Sequence, residues 1–234
     1  MNRLSVIALL FLIVSCAKKE PDLIVKTHIK GLKKGTVYLK KVKDTTFITV
    51  DSILISGNPE FELHSDIESP EVFYLFLNKN TNEDDAIAFF ADKGITEINT
   101  TLKGFPFNAE IKGSKQQKVW EEYQNIISKL NNRNLELIKE EFEAKKAADS
   151  LGLNAINKEY NGLLKRKYLF AVNFALNNKD SEVAPYLALT EIYNANINLL
   201  DTINNTLTSK VKASKYGKRL QVFIDEIKDT EKSN

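Results

Sequence analysis

The chain has few residues whose type and spacing could carry chemistry. Its two histidines, His28 and His64, stand far apart in runs that read as strands. No HExxH or HxH spacing exists for a metal, so both read as ordinary strand histidines. Acidic pairs at Asp84-Asp85, Glu121-Glu122 and Glu140-Glu141 could in principle share a proton as general acid and base. Their neighbours supply none of the groups such catalysis needs, and solvated faces explain them. GxGxxG, GxxxxGK[ST] and GxSxG are all missing. No cofactor, metal or catalytic residue is therefore assigned, and the chain reads as a non-enzyme.

The single cysteine is the exception. Cys16 follows Arg3 and an apolar run from Leu4 to Val14, the layout of an export signal. A membrane-spanning helix needs roughly 20 apolar residues, and this run is too short. Ile13-Val14-Ser15-Cys16 resembles the lipobox of bacterial lipoproteins, where a diacylglycerol is attached to the Cys thiol before cleavage. Residues 1–15 are then the signal peptide, residues 16–21 the anchor and linker, and Cys16 the lipidated terminus. Two or three acyl chains, at about 0.8 kcal/mol per buried methylene, make such attachment effectively permanent. With that thiol committed, the mature chain has none left for a disulfide, a redox pair or a thiolate metal site.

The remaining sequence must fold into the body that the anchor holds. Its 234 residues, 43% hydrophobic and 27% charged, suit a globular protein with a substantial core. A formal net charge of +2 provides no electrostatic footprint for nucleic acid.

Four of the five prolines and six of the nine glycines lie at or before Gly113. In that half, short β-rich runs alternate with turn residues: Leu23–Lys30, Thr36–Val42, Phe47–Ile55, Glu60–His64, Val72–Leu77, Ala86–Ala91, Thr96–Leu102 and Phe107–Lys112. Residues 22–112 thus read as an antiparallel β-sandwich or open barrel. Residues 113–234 read as an α-helical region packed with it, so the fold class is α+β.

Ser114 and Gln117 form a capping box at the start of a long helix. Its apolar stripe runs through Trp120, Tyr123, Ile127, Leu130, Leu137 and Ile138, with Asn131-Asn132-Arg133-Asn134 marking a bend. Further helices are expected near Asn154–Asn177, Glu182–Leu199, Thr202–Val211 and Lys215–Asp229.

The order of several short stretches resembles a domain of unknown function that precedes thioredoxin-like domains in Bacteroidetes-type lipoproteins. They are Ile29-Lys30-Gly31 with Gly35-Thr36-Val37-Tyr38-Leu39; Val50-Asp51-Ser52 with Gly57 and Phe61-Glu62-Leu63; Ile111-Lys112-Gly113-Ser114 with Gln117 and Trp120; and Ser214 with Tyr216-Gly217-Lys218-Arg219-Leu220. In the longer relatives the last stretch leads into the thioredoxin-like domain, of the AhpC/TSA type. That domain has no counterpart here, so the resemblance implies location and fold class and brings no reductase residues.

Four features remain. Phe105-Pro106-Phe107 sets a proline between two aromatics, a candidate contact patch or a cap on the sandwich. Trp120 and the Tyr/Phe set, including Phe73, Tyr74, Phe76, Phe89, Phe90, Phe105 and Phe107, could line a groove for a hydrophobic ligand or a sugar, although core packing is the default. Lys40-Lys41-Val42-Lys43 reads as a solvated strand edge, where lysines discourage strand pairing. Asp51-Ser52-Ile53, Asp149-Ser150-Leu151 and Asp201-Thr202-Ile203 resemble the O-glycosylation acceptor of this bacterial group, which makes Ser52, Ser150 and Thr202 candidate sites.

Three functional readings follow. The first is an envelope lipoprotein acting as a non-catalytic binding or scaffolding module. Another is an accessory subunit of a thiol-disulfide system, partnered by a separate thioredoxin-like envelope protein. The third is a surface-exposed binder of glycan or peptide. The lipid bilayer is the partner of acylated Cys16. Ala17-Lys18 lacks the Asp that favours inner-membrane retention, which points to the outer membrane, with its face left open.

Overall fold

The computed structural model describes residues 20–78 and 85–233. The leader, Cys16 and Asp84 lie outside them. Among the described residues no helix is long and apolar enough to cross a membrane.

All strands precede all long helices, as the change of sequence pattern at Gly113 requires. Strands β1 (Leu23–Lys30), β4 (Glu60–Ser65), β7 (Gly94–Thr101) and β8 (Glu110–Lys112) form one sheet in the order β4-β1-β7-β8. Strands β2 (Lys34–Lys43), β3 (Thr46–Ser56), β5 (Glu71–Leu77) and β6 (Ile87–Ala91) form the other, ordered β3-β2-β5-β6. Between the sheets lies a core that includes Val25, Ile29, Leu39, Leu63, Phe73, Leu75, Phe89 and Ile98.

The sandwich is mostly antiparallel, with one departure from the expected pattern: β1 and β7 run parallel, Leu23 opposite Gly94 and Lys30 opposite Thr101. The chain crosses to the second sheet and back twice between them, so no hairpin forces them to oppose. The last strand is also shorter than expected. Phe107 belongs to the turn after β7 and not to β8.

Strand β5 explains how the halves join. Its Val72-Phe73-Tyr74-Leu75 segment has no polar side, because Phe73 and Leu75 enter the sandwich core while Val72 and Tyr74 meet the helices. A strand covered on both faces reads as a continuous apolar run. The outer face of this sheet is thus the floor of a second core, with Phe90, Tyr123, Leu187, Leu220 and Ile224 buried above it. Fully burying a side chain of this size is worth roughly 1.5–3 kcal/mol.

The helices are α1 (Lys115–Lys146), α2 (Ser150–Asn177), α3 (Val183–Thr190), α4 (Ile197–Thr206), α5 (Ser209–Lys212) and α6 (Lys215–Ser233). Helix α1 runs unbroken through Asn131–Asn134, against the expected bend. Arg133 bonds Glu136 and Glu140 on its own helix and Glu159 on α2, at 2.7 to 3.0 Å, and these contacts hold the Asn-rich turn in register. Ile138, placed on the buried stripe by its spacing, is 52% exposed. The single helix expected near Glu182–Leu199 is two, α3 and α4. Asn196 starts α4 by accepting the Asn198 N–H at 2.9 Å, and an Asn cap inside an apolar run is a break. Thr208 similarly caps α5, ending the helix expected to reach Val211 without interruption.

The capping box is half formed. Ser114 Oγ accepts the Gln117 N–H at 3.1 Å, but the Gln117 side chain does not fold back. Its Oε1 accepts the buried Phe90 N–H at 2.8 Å and its amide donates to Glu121. Strand β6 is the edge of its sheet, so its outward N–H has no ladder partner. Helix α1 supplies one and closes the edge. Gly113 makes this junction possible: its φ is +110°, and a Cβ there would lie 2.1 Å from the Ile95 carbonyl oxygen.

Candidate functional site

The residues singled out for chemistry stay apart. His64 faces Asp51 and Glu62 at 3.7 and 3.9 Å on the open face of the first sheet. His28 lies four pairings along the neighbouring strand, opposite Glu60. Glu140 and Glu141 each serve a surface ion pair, with Arg133 and Lys145 respectively. No group of three His, Cys, Asp or Glu positioned for a metal occurs among the described residues.

The lysine run is not at an edge. Strand β2 lies between β3 and β5, and Lys41 Nζ bonds the buried Glu71 carboxylate at 2.9 Å. Glu71 also pairs with Lys215 of α6. Lys40 lies over the Phe76 ring, 4.1 Å from its centroid. The candidate patch divides as well. Phe105 packs on the sandwich core as a cap, Pro106 is half-buried, and Phe107 alone projects, at 86% exposure. Ser52, Ser150 and Thr202 are exposed on β3, at the start of α2 and on α4. The Thr202 hydroxyl donates to the Asn198 carbonyl at 2.7 Å.

A site does form where α3 and α6 lean over the second sheet. Helix α6 carries two adjacent stripes. Tyr216, Leu220, Ile224 and Ile227 enter the core, while Lys215, Lys218, Arg219 and Val222 face a groove beside it. The start of α6 is pinned. Lys215 N–H donates to Ser69 Oγ at 2.9 Å, and Gly217 approaches α5 so closely that a Cβ would sit 2.0 Å from the Val211 carbonyl oxygen. From the sheet come Val42, Val72 and Tyr74; from α3 and its exit come Tyr186, Leu189 and Tyr193. They enclose about 670 Å³, within the range of small-molecule sites.

An aromatic cluster supports the floor. Phe90, Tyr186 and Tyr216 meet edge to face at 5.1 to 5.9 Å between centroids, and Trp120 meets Phe90 and Tyr186 at 5.9 and 6.3 Å. Tyr216 Oη accepts the Val72 N–H at 3.0 Å, and the Tyr186 hydroxyl is within hydrogen-bonding reach of Tyr74. Burial holds both phenols far above the ordinary tyrosine range, so they stay neutral donors. The mouth is cationic. Among the described residues Lys218 and Arg219 have no ion pair, and Asp44 is the one acid in the lining.

Residues 23–120 match the family described as Domain of unknown function (DUF4369). The match covers the whole sandwich and the first turns of α1. It stops short of the resemblance noted at Ser214–Leu220, so α6 and most of the groove's helical wall lie outside it. The matched portion supplies the floor: Val42, Asp44, Val72 and Tyr74. Comparisons with curated proteins and with solved structures find no match.

Of the aromatic residues offered as a groove lining, Tyr74 lines this one and Phe90 and Trp120 pack behind it, but the helical wall had no local signal. Tyr186, Tyr193 and Phe223 read as helix residues, and only the fold brings them to Tyr74, more than a hundred residues earlier.

Proposed function

We propose that this chain is a lipid-anchored, non-catalytic binding module of the cell envelope whose ligand site is the groove between β5, α3 and α6. The observation that supports it is the groove itself, an apolar tyrosine-rich cleft with a few directed polar groups and a cationic mouth. That combination is the make-up of a small-molecule site.

The position of the groove agrees with anchoring through Cys16. Strand β1 begins at Leu23, and Asp22 lies six chain steps beyond Cys16. Extended, they reach about 20 Å. Asp22 lines a polar cleft that shares Asp44 and Lys215 with the groove, so both open at the end of the sandwich where the chain enters. Phe107 follows β7, whose Thr101 pairs with Lys30 at the far end of β1, and so points away from the anchor. An anchored body would present the groove near the bilayer and Phe107 to the surroundings.

The test is a photo-reactive residue at Val222 or Phe107 in the full chain, illuminated in cells and read by intact mass. Adducts at 222 and none at 107 are expected; adducts at 107 alone would remove the groove from the account. Replacing Cys16 with Ala is expected to abolish fatty-acid labelling, and labelling that persists would end the anchoring claim.

A further inference from the structure

Resting on the reading of the groove as a ligand site, we infer that its ligand is an anionic amphiphile: an acyl chain on the apolar floor with a carboxylate or phosphate head at Lys218 and Arg219. The argument is charge complementarity across one helix. Lys215, Lys218 and Arg219 lie at i, i+3 and i+4 on α6, all along the groove. Lys215 is committed, because its ammonium bonds the buried Glu71 carboxylate and the Val42 carbonyl. Lys218 and Arg219 have no carboxylate within ion-pair reach among the described residues, and both flank Val222, which is 46% exposed.

Other cations on this body meet carboxylates of their own fold, as Arg133 meets three glutamates and Lys228 meets Asp201 at 2.5 Å. Two unanswered cations at the rim of an apolar cleft suit a ligand that supplies both the anion and the hydrocarbon. A planar guanidinium beside a flexible ammonium can grip either head group. Tyr193, 57% exposed at the same mouth, offers a ring against which the first methylenes of the chain can lie.

The experiment uses the body from Glu20 to Asn234, which contains every strand and helix described. Decanoate, decyl phosphate and neutral decanol are titrated below their aggregation concentrations, with calorimetry and the fluorescence of the single tryptophan, Trp120, as readouts. Trp120 touches Tyr186 in the groove wall and reports occupancy.

The anions should bind at least tenfold more tightly than decanol. Lys218→Ala with Arg219→Ala should remove that preference, and Val222→Asp should abolish binding of all three. Lengthening the chain by two carbons should tighten binding roughly tenfold until the groove is full. A preference for decanoate marks a fatty-acid head and one for decyl phosphate a phospholipid-type head; both support the inference. Equal affinity for decanol and the anions, or an anion preference that survives the double variant, would overturn it. If no amphiphile binds while a probe at Val222 still gains an adduct in cells, the ligand class is wrong and the groove stands; if both fail, the groove falls too.

Discussion

The contact that fixes α6 on the sheet can be dissected by an asymmetry in exposure. Glu71 is 3% exposed and its carboxylate is held by Lys41 at 2.9 Å and by Lys215. The two lysine side chains remain 23% and 41% exposed. Flexible stems let either ammonium turn to water when its partner is lost, an escape closed to the carboxylate. Replacing both lysines with methionine strands a buried charge, at a cost of about 3–5 kcal/mol. Glu71→Leu leaves two cations that solvent can reach and should cost no more than about 1–2 kcal/mol. Changing all three positions together should return stability to within about 1 kcal/mol of the parent. Urea unfolding followed by Trp120 fluorescence measures each value. The reasoning fails if Glu71→Leu is more damaging than the double lysine replacement, or if the triple variant is as unstable as the double.

Three more outcomes follow from the structure. Gln117→Ala should cost about 1–3 kcal/mol by orphaning the Phe90 N–H, against about 1 kcal/mol for loss of the cap in Ser114→Ala; the Phe90 amide should exchange faster in the first variant and not in the second. Burial raises the Glu182 carboxyl above the ordinary carboxylate range, so the native state holds its proton more tightly than the unfolded state and stability is lost as pH rises through that range. Thermal unfolding should show Glu182→Gln gaining on the parent as pH rises above the unfolded carboxylate value of roughly 4, and a gap that narrows with rising pH would contradict this. In alkaline titration by phenolate absorbance, Tyr123, Tyr186 and Tyr216, all raised first by burial, should stay unionised until the protein unfolds; Tyr→Phe variants assign them.

The parts of the fold that depend on local pattern were legible in the residues. Leu23–Lys30 alternates and is β1, Ser114 begins α1, and the loss of Pro and Gly after Gly113 marks the passage from strands to helices. What failed was set by neighbours distant in sequence. Lys41 looks like a solvated edge residue until Glu71 and Lys215 are brought to it. Gln117 looks like half of a capping box until the open edge of β6 claims its side chain. Asn131–Asn134 looks like a bend until Glu159 on α2 meets Arg133. The parallel pairing of β1 with β7 leaves no trace in either strand. The groove is the extreme case, since its floor and its cationic wall lie more than a hundred residues apart, and each stripe is ordinary by itself.

The most direct measurement of the account is the native mass of the full-length protein extracted gently from cells, compared with that of Val222→Asp. A groove that holds a ligand in the cell predicts a non-covalent adduct retained by the parent and absent from the variant. An adduct of equal mass and occupancy on both, or none on the parent, would contradict it.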